Sequence, residues 1–402
     1  MRILQICNKP PYPPQDGGAI GMNNITQGLI EAGHTVKLIA VNPPKHHVYL
    51  DQLPADYVRK TGIELVFIDT EVKPLDALLN LFTHKSYHIA RFISGDFSKK
   101  LTDILTRGTF DIIQVESTFL MSYLETLRKY SSAKIVLRAP NIEFRIWERM
   151  ASQAKNPLKK IYLALLARRL RKWELSQINR ADAVYTVTAN DMDFLKQAGC
   201  IKPITFIPTG IDMTKKTDLD FSHVEFPSLF HIGALDWLPN QEAIRWFLEK
   251  IWAKVHAQFP GLKFYVAGRN TPQWITDLNM PNVEVLGEVA DAGNFISSKS
   301  VMLVPLMSGS GMRVKIIEGM MLGKTIISTT VGIEGIIHQH GENVLIANTA
   351  EEFHKTIVKC INDRLYCETI GRNAHNNAKD NYDNEALTRK LVGFFTQLLK
   401  AS

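Results

Sequence analysis

The run GSGMRVKIIEGMMLGK at 309–324 holds the residue types in this 402-residue chain best suited to chemistry. Gly309 and Gly311 bracket Ser310. Met312, Arg313, Lys315 and Glu318 then follow in a helical pattern that stops at Gly323, a residue type that closes helices. The apolar run 301–305 just before it reads as a buried parallel strand. A Gly-rich turn feeding a helix start aims free backbone N–H groups and the positive end of the helix dipole at one point, which makes an anion site, most often for phosphate. Glu318 lies two turns further in and offers paired acceptors for sugar or ribose hydroxyls. Phosphate donors beside a hydroxyl acceptor describe a sugar-nucleotide site. The same letters also fit an ordinary strand–turn–helix whose glycines serve close packing.

The elements that must position this turn alternate along the whole chain. Strands are expected at 2–6, 35–40, 111–115, 134–137, 183–187 and 204–207, with a helix at 19–32 stopped by Gly33. A polar, turn-rich stretch at 208–228 reads as an interdomain linker. Strands are expected again at 229–232, 262–267, 283–286, 301–305 and 325–328, with helices at 241–259 and 312–322. Alternation of this kind means parallel sheets covered by helices on both faces. The expected domains are 1–210 and 222–384, with a final helix in 385–402 able to pack back on the first. Ligands in such sheets bind beyond the C-terminal strand ends.

The bulk properties exclude several classes. Composition is 45% apolar and 22% charged, as in an ordinary globular enzyme. No apolar run approaches the roughly 20 residues of a membrane span. The N-terminus reads as a first strand rather than a secretory leader. The four cysteines are scattered without metal-ligand spacing, which suits reduced thiols in a cytoplasmic protein. The net charge of +7 is concentrated at 155–172, where Lys155, Lys159, Lys160, Arg168, Arg169, Arg171 and Lys172 stand among leucines with no acid. This basic amphipathic helix suits the inner face of an anionic membrane, or else a solvated face of its own domain. No nucleic-acid fold motif or aromatic stacking array accompanies it, so nucleic acid is not an expected partner.

Taken together, the motifs resemble the retaining glycosyltransferases of the GT-B fold, in the family 4 group that builds polysaccharides and glycolipids. The resemblance covers nearly the whole length: Gly17–Gly18 in the first loop, RADAVYTVTANDMDFL at 180–195, IPTGID at 207–212, FHIGALDWLPN at 230–240, YVAGRN at 265–270, VEVLGEV at 283–289, STTVGIEGI at 328–336 and HGENVLI at 340–346. It implies an α/β chain of two doubly wound Rossmann-like domains facing across a cleft. The implied donor is a UDP- or GDP-sugar with no cofactor and no metal, and the implied acceptor a glycan or lipid-linked hydroxyl. By the same resemblance, Ser310, Gly311, Met312 and Arg313 would hold the diphosphate, Glu318 the ribose, Gly287–Val289 the base, and Gly17 and Gly18 the phosphates and acceptor from the other side.

The chain departs from the family pattern in places. The first glutamate of the E-x7-E motif is Ser310, and the usual Arg and Lys after the first strand of the second domain are Ala234 and Pro239. Arg313, Lys315 and the more distant Arg269 are then the cations available to the diphosphate, and Arg313 and Lys315 cannot point the same way from one helix. The His that often precedes Asn–x–Glu is Pro140, which leaves Asn141 and Glu143 as candidates on the acceptor side. Glu143 could orient an acceptor hydroxyl or begin the next helix. Asp16 and Glu116, just past strand ends, carry the same ambiguity. Two alternatives to transfer remain at this level: an inactive sugar-nucleotide-binding scaffold, and a sugar-nucleotide epimerase on the same fold.

Overall fold

The computed structural model describes residues 1–73, 80, 86–212, 219–309 and 311–401. The chain forms two units, Met1–Gly210 with Asn384–Ser402, and Ile211–Asp383.

The first unit is built on seven strands: β1 (Arg2–Cys7), β2 (Thr35–Asn42), β3 (Glu64–Phe67), β4 (Ile112–Val115), β5 (Lys134–Ala139), β6 (Ala183–Thr186) and β7 (Ile204–Phe206). Their order is β3-β2-β1-β4-β5-β6-β7, and neighbours run parallel throughout. Alternate residues of β1 enter different cores. Leu4 and Ile6 pack with Ile113 and Val115, while Ile3 and Cys7 pack with Leu38 and Ile112. Both faces are covered, which is why these strands read as unbroken apolar runs. Helix α1 (Gly17–Glu31) lays Met22, Ile25 and Leu29 on the second core. Helices α2 (Glu143–Gln153) and α3 (Pro157–Ile178) follow β5.

The second unit has six parallel strands: β8 (Glu225–Ile232), β9 (Lys263–Ala267), β10 (Val283–Gly287), β11 (Lys299–Val304), β12 (Thr325–Ser328) and β13 (Leu345–Ile346). Their order, β10-β9-β8-β11-β12-β13, repeats the topology of the first six strands of the other sheet. The strand order reverses between β8 and β11. Helix α4 (Leu238–Phe247) follows β8, and helix α5 (Val314–Met321) follows β11. The closing helix α6 (Asn384–Lys400) returns to the first unit and adds Leu391, Phe395 and Leu398 to the core under α1. The two helices meet at Gly28, where a Cβ would stand 2.1 Å from Thr388 Oγ1.

Several boundaries differ from the sequence expectation. Two short edge strands, β3 and β13, carry no apolar run long enough to show. Strand β8 starts at Glu225, inside the expected linker, because Ser228 is tied to Ser300 across the sheet by three side-chain–backbone bonds. The helix expected at 312–322 begins only at Val314. Gly309 (φ 111°) and Gly311 (φ 83°) hold the chain in the left-handed region, and Arg313 is still extended at its ψ of 92°. The helix stops at Gly323 as expected, in a Schellman motif: Gly323 at φ 65° donates to Met320 O, and Lys324 N donates to Gly319 O.

Candidate active site

In the second unit, the loops leaving β8 and β11 meet at the point where the strand order reverses, the usual ligand position in such sheets. After β8 the chain runs Gly233–Trp237 and turns into α4, with Asn240 Nδ2 donating to Ala234 O at 2.8 Å. Ala234 and Pro239 bring no charge there. What the loop brings instead is Trp237. A Cβ on Gly309 would lie 2.7 Å from its ring, so the indole lies directly on the glycine turn.

Arg313 sits beside this contact. Its guanidinium is 6.0 Å from the Trp237 ring centroid, its Nη1 donates to Gly311 O, and Glu334 lies 3.9 Å away. The side chain is 10% exposed, so it is not an ordinary solvated arginine. Lys315 turns elsewhere and donates to Glu318 Oε2 at 2.6 Å. The expectation that Arg313 and Lys315 diverge is met, and Glu318 comes already paired with a cation. Met312 and Val289 pack at the edge of the core beneath. Gly287 ends β10 at φ 64°, with open space around it and its carbonyl accepting from Gly268 N at 2.7 Å. Ser310 lies outside the described residues.

In the first unit, the loop after β1 leads to Asp16, which caps α1 by accepting from Gly18 N at 2.9 Å and Ala19 N at 3.0 Å. Lys9 Nζ lies 2.6 Å from the same carboxylate and His46 3.8 Å. Burial pushes the Asp16 carboxyl up, but Lys9 and the Ala19 amide outweigh it and hold the group below its ordinary value. The amide of Gly18, in the loop that the resemblance assigns to the phosphates and acceptor, is therefore donated within the chain, and the charge at this helix start is already balanced by an acid. For Glu116, the structural one of its two readings is what the structure shows: it is buried, paired with Arg138 Nη1 at 2.9 Å and bonded to Gln5 Nε2 at 2.6 Å. Thr26 of α1 donates to Gln5 Oε1 at 2.7 Å, so this polar network pins α1 to the sheet. A carboxylate beside a guanidinium is more stable inside than alone, which keeps Glu116 inward.

Glu143 opens α2, and a residue that sequence reasoning missed organises its surroundings. Glu174, from the later turns of α3, accepts from Glu143 N at 3.2 Å, Phe144 N at 3.1 Å and Thr118 Oγ1 at 3.3 Å. It caps a helix that has no cap of its own. Burial, then the nearby charge of Glu143, pushes Glu174 up to about 8 despite these bonds. Burial likewise pushes the half-buried Glu143 up to about 7, against the pull of Asn141. A signal was present in the sequence: Glu174 falls on the buried stripe of α3, Leu163, Leu166, Leu170, Glu174 and Ile178, and an acid there needs a donor. The first turns of the same helix do the opposite. Leu158 and Ile161 are 77% and 68% exposed among Lys155, Lys159 and Lys160. Arg169 is turned inward and bonded to Asn80 O at 2.9 Å.

Two doubly wound units, each with its strand-end loops, are the form of a GT-B glycosyltransferase, and comparison with known proteins agrees. Residues 15–215 match the model of Glycosyltransferase Family 4, and residues 226–363 match that of Glycosyl transferases group 1. The chain belongs to the group 1 glycosyltransferases. A relative encoded in the cps region of Klebsiella pneumoniae, an uncharacterized 44.6 kDa protein, is 21% identical over 96% of this chain and 97% of its own. Among solved structures, Anabaena HepE superposes with a TM-score of 0.68 at 14% identity, covering 99% of this chain and 100% of HepE. HepE has been solved with UDP, with UDP and glucose, and with UDP-glucose. Sucrose-phosphate synthase from Thermosynechococcus elongatus superposes with a TM-score of 0.72 at 15% identity, with all of both chains covered. Among the described residues no helix is long and apolar enough to cross a membrane.

Proposed function

We propose that this chain transfers a hexosyl group from a UDP- or GDP-sugar to a hydroxyl of a glycan or lipid-linked acceptor, with retention of configuration, in the building of a surface polysaccharide. The observation that carries the reading is the Arg313 turn at the strand reversal. A shielded guanidinium stands at the start of α5, with the Lys315–Glu318 pair one turn on. The UDP and UDP-glucose complexes of HepE support the donor class, and the cps-region relative supports the polysaccharide setting.

In this reading the bond between the anomeric carbon and the diphosphate oxygen breaks, and negative charge gathers on the departing diphosphate. Arg313 and the first N–H groups of α5 are fixed donors aimed at that charge, a form of stabilisation that needs no reorganisation during the reaction. They are assigned the part that a metal or cofactor would otherwise take. The acceptor oxygen bonds to the carbon on the same face, and its proton passes to the leaving phosphate oxygen, so no dedicated base is needed where Pro140 stands. Glu143 and Asn141 are assigned to the acceptor: a carboxyl titrating near 7 can receive or donate a hydroxyl hydrogen bond. The exposed tip of α3 is assigned to the inner, anionic face of a membrane, where a lipid-linked acceptor resides.

A thermal-shift panel with UDP, GDP, ADP, TDP and their common sugar forms, run on wild type and Glu318→Ala, tests the donor site. A shift from one nucleotide that is lost in the variant is the expected result. No shift from any of them refutes the donor reading.

A further inference from the structure

We infer that Trp237 forms the stacking surface for the sugar ring that the donor delivers, and so helps set donor specificity. The inference rests on the donor reading above and extends it to a residue outside the glycine turn.

Trp237 is held rather than merely exposed. Its backbone carbonyl accepts from Asn240 N at 3.0 Å and from Gln241 N at 3.3 Å, which ties it to the start of α4. Its ring edge rests on Gly309, at a spot that only a residue without a side chain leaves open, and Arg313 flanks it. Yet 37% of the residue remains accessible, and Leu238, the next residue and the first of α4, and Met307 in the loop after β11 are exposed as well. An indole seated by its edge on Gly309, with a guanidinium near its ring and more than a third of the residue accessible, in a loop at the strand reversal, is a surface suited to a flat, partly apolar ligand.

The chemistry of a nucleotide sugar says which part of it that is. The diphosphate stands between two sugars. The amide end of α5 and Arg313 suit the diphosphate. Glu318 is the fifth residue of α5, about 6 Å along the helix from its first residue at 1.5 Å per residue, and suits the hydroxyls of one sugar. Trp237 touches Gly309, on the far side of Arg313 along the chain from Glu318, and this end of the diphosphate is assigned to the other sugar. One face of a pyranose carries mainly axial C–H groups, which are polarised by ring oxygens and pack well on an electron-rich indole. The flanking guanidinium is drawn to the same indole and stiffens it. The position also fits the composition of the loop, which supplies an aromatic ring at Trp237 and no cation at Ala234 or Pro239.

The test is isothermal titration of wild type, Trp237→Phe and Trp237→Ala with UDP, GDP and their glucose, N-acetylglucosamine, galactose and mannose forms. Melting curves of each variant accompany it. The expected result is that wild type binds one sugar form roughly five- to tenfold more tightly than the bare diphosphate. That advantage should fall to about onefold in Trp237→Ala and be partly kept in Trp237→Phe, with bare diphosphate binding changed less than about twofold. Equal weakening of diphosphate and sugar form overturns the inference, since Trp237 would then only shield Arg313. An unchanged ratio in Trp237→Ala, or a wild-type ratio of one, overturns it too. If wild type binds no diphosphate at all, the donor reading itself fails and takes this one with it.

Discussion

Replacing Glu174 with glutamine tests whether the buried carboxyl pair governs how the first unit responds to pH. Glu174 is 1% exposed, and its carboxyl is pushed from an ordinary 4.5 up to about 8, first by burial and then by Glu143. The folded value lies above the unfolded one. Between the two, the native state therefore holds a proton that the unfolded chain has released. The stabilisation is complete below about pH 4.5 and is lost as pH rises through 8. At about 1.4 kcal/mol for each pH unit, the full loss is on the order of 5 kcal/mol, about 4 kcal/mol of it between pH 5 and pH 8. A glutamine side chain at this position would never ionise and would keep one oxygen for the amides of α2. Its cost is the second acceptor, about 1 kcal/mol, at every pH. Melting temperatures from pH 5 to pH 9 should thus start lower for Glu174→Gln, converge with wild type and cross it on the alkaline side. At roughly 2–4 °C per kcal/mol for a unit of this size, the relative gain across the range is on the order of 8–16 °C. Glu143, near 7, and the buried His88, which burial and Arg91 hold down near 4, titrate in both proteins and largely cancel in the comparison. Two parallel curves offset by a constant would refute the reasoning, because Glu174 would then be ionised throughout, like any capping carboxylate.

Arg313→Ala should weaken diphosphate binding by about ten- to a hundredfold, the worth of a shielded charged hydrogen bond. Lys315→Ala, at a more exposed site already paired with Glu318, should change it less than about fivefold. Titration with the diphosphate found in the thermal panel decides, and equal effects would remove Arg313 from its role. Arg138→Met should cost about 3–5 kcal/mol in denaturant unfolding by stranding Glu116, and adding Glu116→Leu should recover part of it; a second change that only deepens the loss would mean the pair is not the source. Replacing both Leu158 and Ile161 with Asn should lower cosedimentation with anionic phospholipid vesicles at least about tenfold while leaving the melt unchanged. Undiminished binding would rule out the tip of α3 as the docking element.

Much of the architecture is legible in the chain itself. The apolar runs at β1, β2, β4, β5, β8 and β11 are strands because both faces of a parallel sheet are covered, so no polar alternation blurs them. The stop at Gly323 and the turn at Gly309 and Gly311 show because glycine is the residue that accepts a positive φ. Edge strands such as β3 are half-exposed and look like loop. Sequence pattern alone starts α5 two residues early, because helix propensity at Met312 and Arg313 carries no record of the left-handed glycines before them.

For the site, sequence determined the residue types that could meet a nucleotide sugar and the order in which they come: the glycine turn, Arg313, Lys315 and Glu318 all lie within one strand–turn–helix, where local spacing sets direction. Only the tertiary structure decided which groups are already engaged. Asp16 takes the amide of Gly18, Arg138 takes Glu116, and Glu174 reaches across 30 residues to cap α2 and meet Glu143. It also brought Trp237 of one loop onto Gly309 of another, far along the chain. The reason is physical. A side chain's local direction follows from its own few neighbours in sequence, but its charge state and its partners depend on what the packed sheet brings within hydrogen-bonding reach, and that distance is set by the strand order.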